Sequence, residues 1–157
     1  MTSIYDINYV VPYVVSNLVG FAMLPLAFYK PRYARILFML LFAGASCFNL
    51  YTAVQNPDAY LMYSETSIPI YQSFINGWFS RHISMVVSII AIGQALIAIG
   101  LLLRGFVVKL SLSGIIIFLL AIAPLGIGSG FPFSLTASLS AYWVIRKDSC
   151  TYLWKGR

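Results

Sequence analysis

The sequence predicts an all-α integral membrane protein: one domain, residues 1–157, folded as a bundle of five transmembrane helices. Three observations predict it. Apolar residues make up 61% of the chain and charged residues 9%, whereas a soluble domain clothes its surface with about 25% charged residues. The apolar residues gather in runs close to the ~20 residues that cross a hydrocarbon core. Short clusters of Lys and Arg separate those runs, as topology signals do.

The first span covers residues 9–29, with Asn8 or a neighbour as cap, Pro12 in the first turn and Pro25 bending the far end. No Lys or Arg occurs in the first 29 residues, so the basic start of a signal peptide is missing and this run is expected to stay as a helix. "KPRYAR" then stops it with Lys30, Arg32 and Arg35. The second span, residues 36–54, carries the small patch Ala43 to Ser46, which lets another helix approach closely.

A polar interval follows. Asn56-Pro57-Asp58 reads as a cap, a first-turn proline and an acid suited to the helix dipole, so a short helix starts there. A second begins near Pro69, with apolar residues at Ile70/Tyr71, Phe74/Ile75 and Trp78/Phe79, a 3.6-residue stripe. This is an amphipathic segment lying on the outer membrane surface or folded over the bundle mouth. The third span covers residues 84–103.

Leu110 to Ile145 is almost unbroken apolar sequence. As one helix it would run ~54 Å, against a core of ~30 Å. Gly126, Gly128, Gly130 and Pro132 concentrate helix breakers in its middle. The run therefore divides into spans over residues 110–127 and 131–145, joined by a tight turn near the outer surface. The alternative is a broken helix whose unwound backbone lines a cavity. With five spans and the N-terminus outside, Lys30, Arg32, Arg35, Arg104, Lys109, Arg146, Lys147, Lys155 and Arg157 all face the cytoplasm, and Arg81 alone lies outside. The expected home is a bacterial inner membrane, with the C-terminus cytoplasmic. The net charge of +6 is topological rather than a nucleic-acid surface.

Polar groups inside spans are costly and point to function. Asn17, Asn49 and Gln94 occupy the centre or outer half of the first three spans, where they either bond helices together or floor a pocket that opens outward. Glu65, Arg81 and His82 add ionisable groups at that end, as does Asp58. Tyr71 and Trp78, with Tyr60 and Tyr63, crowd the same interval as a belt or as aromatics over a polar floor, which suits a quinone or a lipid. The tentative ligand-binding set is Asn17, Asn49, Glu65, Tyr71, Trp78, Arg81, His82 and Gln94. The sequence holds no carboxylate pair at fixed spacing, no nucleophile motif and no cluster with metal-ligand spacing, and a disulfide between Cys47 and Cys150 would need the two to lie at one depth.

Two stretches carry a family resemblance. "YARILFMLLFAGASCFN" has Arg35 at the inner end, then apolar residues, Gly44 and Asn49. "IAIGQALIAIGLLLRG" has Gly93 and Gly100, then aliphatics and Arg104. Over residues 33–146 the chain resembles DoxX-like small membrane proteins. The resemblance implies a four-helix core with both ends cytoplasmic, to which the first span is an extra helix. It also implies association with quinone-linked redox complexes or a role in assembling other membrane proteins. Where that family often has an acid, this chain has Ile90.

The expected function is a non-catalytic membrane subunit or accessory factor that binds an apolar ligand, quinone or lipid, or a partner membrane protein or second copy. The alternatives are a small transporter or channel with a path through Asn17, Asn49 and Gln94, and an enzyme acting on an apolar substrate near His82.

Overall fold

The computed structural model describes residues 7–154 and is helical throughout, with no strand among the described residues. The long helices are α1 (Ile7–Tyr29), α2 (Pro31–Gln55), α4 (Ile83–Leu102), α5 (Phe106–Ile122) and α6 (Phe133–Lys147), with a short α3 (Pro69–Asn76) between α2 and α4. Four stretches are long and apolar enough to cross a membrane: Val10–Tyr29, Pro31–Gln55, Ile83–Leu102 and Phe106–Ser129. α6, at 15 residues, is only ~22 Å long.

Each helix packs against its neighbours in sequence, α2 on α4, α4 on α5, α5 on α6 and α6 on α1, and α1 touches α2 to close the ring. Small residues set the closest approaches. A methyl group on Gly20 would collide with Thr136 and Phe133 of α6, and one on Gly100 with Ser111 of α5. Ser46 donates from α2 to the Ala91 carbonyl of α4 at 2.7 Å. Gly44 and Gly93 have open space beside them, so that part of the expected small-residue packing face lies outside the bundle's contacts. The buried core runs between the helices through Met23, Phe38, Leu101, Leu112, Ile115 and Val144.

Several expected boundaries move. α1 starts at Ile7, so Asn8 lies inside the helix, Pro12 sits beyond the first turn, and the cap falls outside the described residues. α2 starts at Pro31, five residues earlier than expected, because the proline takes the N1 position, where its missing N–H costs nothing. "RYAR" is therefore helical. The stripe expected from Ile70 to Phe79 is interrupted: α3 ends at Gly77, and a 3-10 turn, Phe79–Arg81, follows.

The largest change concerns the glycine cluster. The plain turn at the surface is replaced by a 3-10 segment, Ala123–Ser129, tucked beneath another, Pro57–Glu65. The Ile68 N–H donates to the Pro124 carbonyl at 3.1 Å, Thr66 Oγ1 to the Leu125 carbonyl at 2.9 Å and the Tyr71 hydroxyl to the Ala121 carbonyl at 2.7 Å. α6 then starts beside Asn17, whose Nδ2 donates to the Gly130 carbonyl at 3.1 Å. It ends with Lys147 Nζ donating to the Phe28 carbonyl at 3.3 Å, so α6 runs back along α1.

The α1–α2 junction, the α4–α5 junction and the end of α6 thus share one end of the bundle, the basic end. Lys155 and Arg157 lie outside the described residues. Arg35, 1% exposed, ties this end together. Its Nε donates to the Leu101 carbonyl at 2.7 Å, one terminal nitrogen to the Leu103 carbonyl at 2.6 Å, and the other to Thr151 O at 2.8 Å and Asp148 Oδ1 at 3.3 Å. Asp148 Oδ1 also accepts from the Cys150 N–H at 2.5 Å, and Asp148 Oδ2 is buried without a partner. Burial, with Asp148 beside it, pushes the Cys150 thiol above its usual pKa; it is a neutral packing group. Cys47 is exposed, and both cysteines are free.

Candidate functional site

At the opposite end, residues 56–82 form a roof over the ring. Beneath it lies a cavity of about 440 Å³, within the ~300–1,000 Å³ range of small-molecule sites. Phe38, Phe42 and Asn49 of α2 wall it, facing Val87, Ile90 and Gln94 of α4. Positions 38, 42, 45 and 49 follow one helical face, as do 87, 90 and 94, so each wall ends in a carboxamide after two or three turns of apolar residues. Tyr60, Tyr63, Tyr71, Ile75 and Phe79 supply the roof, and Phe118, Leu125, Gly128, Ser129 and Phe133 the remaining wall. The segment broken at the glycines therefore does line the cavity.

Its polar groups form one chain. The Tyr60 hydroxyl donates to Asn49 Oδ1 at 2.9 Å, and Asn49 Nδ2 donates to Gln94 Oε1 at 2.8 Å. Gln94 is 3% exposed, and its NH₂ has no hydrogen-bond acceptor among the described residues. The chain thus begins at the roof and ends on a donor at the cavity wall. Burial raises the pKa of the Tyr60 phenol, so Tyr60 stays neutral and acts as a hydrogen-bond donor. No charged side chain among the described residues lines the cavity.

Of the eight residues read from the sequence, Asn49, Tyr71 and Gln94 line the cavity. Asn17 does not join them. Its Nδ2 bonds the Tyr13 and Gly130 carbonyls, and its Oδ1 is buried without a partner; it ties α1 to the glycine segment. The three amides therefore form no single path. Glu65 and Arg81 are exposed. Trp78, 51% exposed, and His82 stack on each other with ring centroids 4.6 Å apart, and His82 Nδ1 lies 2.9 Å from the Trp78 carbonyl. Both lie on the outside of the roof because α3 ends at Gly77 and turns the stripe: Tyr71, Ile75 and Phe79 face inward while Ile70 and Trp78 stay exposed. Sequence reasoning missed Phe38 and Phe42, although their spacing from Asn49 marks them as one face. Among the described residues no group of His, Cys, Asp and Glu is arranged to hold a metal.

Gln94→Leu should remove the acceptor of the half-buried Asn49 Nδ2, destabilising by about 1 kcal/mol, and Tyr60→Phe should cost about 1 kcal/mol. Thermal melts of both variants in detergent check this; a Gln94→Leu variant as stable as wild type contradicts the network.

Comparison with protein-family models, with curated proteins and with solved structures finds no match for the chain.

Proposed function

We propose that this chain is a non-catalytic integral membrane protein that holds a neutral apolar ligand, a quinone or a lipid, in the cavity under the 56–82 roof. It acts as a subunit or accessory factor to a partner membrane protein, in line with its DoxX-like resemblance. The observation that carries the reading is the Gln94 NH₂, which has no acceptor among the described residues, at a mainly apolar cavity wall whose described lining bears no charge. This donor opens on the cavity, where a ligand carbonyl or other neutral acceptor would satisfy it. The aromatic lining favours a flat or flexible apolar body over a charged one.

In this reading the chain crosses the bilayer five times, α6 and the 3-10 segment before it forming the last crossing. The N-terminus lies outside a bacterial inner membrane and the C-terminus in the cytoplasm. The gathering of Lys30, Arg32, Arg104 and Lys147 at one end supports that orientation through the positive-inside rule.

The test is photolabelling of the purified protein with an apolar quinone probe and with a photoreactive acyl lipid, followed by peptide mapping. Label from either is expected on residues 60–79 and 118–129 and should fall several-fold in Gln94→Leu. Label absent from both segments rejects the reading.

A further inference from the structure

We infer a second lipid site: the groove between α1 and α2 at the basic end binds an anionic phospholipid, with its phosphate on Lys30 and an acyl chain along the helices. This rests on the bilayer placement of the chain and is independent of what fills the cavity.

The groove follows from how the two helices are joined. A single residue, Lys30, separates α1 from α2; α1 then leans on α6 and α2 on α4, so the two diverge and pack on each other less than on those partners. The wedge between them is lined by Leu26, Ile36, Leu37 and Leu40, with Lys30 and Tyr33 at its mouth. Its apolar walls start at the charged end and extend along α2 from Tyr33 to Leu40, ~10 Å at helical rise, the direction an acyl chain takes from a headgroup.

Charge complementarity selects the headgroup. Arg35 is held by Asp148 and three carbonyls, Arg104 lies over the Tyr152 ring at 5.2 Å, and Lys147 lies over the Phe28 ring at 3.1 Å. Lys30 is exposed, and among the described residues its ammonium lies over the Tyr33 ring, at 5.8 Å. No described carboxylate can neutralise it: Asp58 and Glu65 belong to the roof at the far end, and Asp148 is buried against Arg35. A cation over an apolar groove at the membrane surface, with a phenol beside it, matches a phosphodiester whose negative charge is not cancelled by its own headgroup.

The experiment is native mass spectrometry of the delipidated full-length protein given equal amounts of phosphatidylglycerol and phosphatidylcholine. Wild type should retain phosphatidylglycerol in preference. Lys30→Gln should lower that preference about five-fold, the effect of one surface cation. Leu37→Trp should fill the groove and reduce retention of both lipids. Arg104→Gln, at the same end but outside the groove, should leave the preference within about two-fold, distinguishing a site from diffuse attraction. Equal retention of the two lipids by wild type, an unchanged preference in Lys30→Gln, or an equal loss in Arg104→Gln overturns the inference. Because the readout is lipid retention at the basic end, failure here leaves the roofed cavity untouched, and failure of cavity photolabelling leaves this groove untouched.

Discussion

Replacing Arg35 with methionine should destabilise the protein by about 3–5 kcal/mol, the usual cost of removing one member of a buried ion pair. The guanidinium is 1% exposed and bonds the Leu101, Leu103 and Thr151 carbonyls besides Asp148. Its loss leaves a buried carboxylate without a counter-charge and three carbonyls without this donor at once. A melting temperature about 10 °C lower is the expected readout. Lysine should recover little, because a point charge on a flexible stem cannot reach four acceptors that a planar fork spans. The double variant Arg35→Met with Asp148→Leu should recover part of the loss, since it removes the stranded charge. A single Arg35→Met variant melting within 2 °C or so of wild type would show that the tail is held by other means.

Gly126→Ala should open the roof. Gly126 has φ +65° and ψ −132°, a region open essentially to glycine, and forcing another residue there costs about 1–3 kcal/mol. A methyl group would also stand 2.5 Å from the Thr66 carbonyl oxygen, and this neighbour is backbone, so the 3-10 roof segment must shift as a piece. The bonds from Thr66 to Leu125 and from Ile68 to Pro124 then stretch together. The expected result is a total loss of about 2–4 kcal/mol and a several-fold fall in cavity photolabelling. Gly93→Ala is the control: it has open space around it and lies mid-helix, where alanine is favoured by up to about 1 kcal/mol. Should Gly126→Ala melt and label like Gly93→Ala, the roof would not depend on that backbone.

Much of this architecture was legible in the residues. α4 runs over Ile83–Leu102, one residue from the expected span, because its apolar run is uninterrupted and bounded by Arg81-His82 and Arg104. The break in the last run was equally visible, since glycines and proline act locally. Where the broken segment goes was not: that depends on Thr66 and Ile68, some sixty residues earlier, accepting it beneath them. The same limit explains Asn17. Its depth was readable, but helical period does not say which neighbour a face meets, and α1 faces α6 rather than the α2–α4 wall. Asn49 and Gln94 did converge, because α2 and α4 lie side by side and both residues end an apolar face. Arg35 was read as one of a basic cluster; its pairing with Asp148 is purely tertiary, although Asp148 was the only acid near the basic end.

The Arg35–Asp148 pair also orders events in time. The two residues are 113 positions apart, so at roughly 5–20 residues per second the ribosome delivers the acid about 6–23 s after the base. Throughout that interval the nascent second helix carries a cation without this counter-ion. The Leu101 and Leu103 carbonyls are made before Asp148, so the acid's arrival completes a site that α4 has already begun.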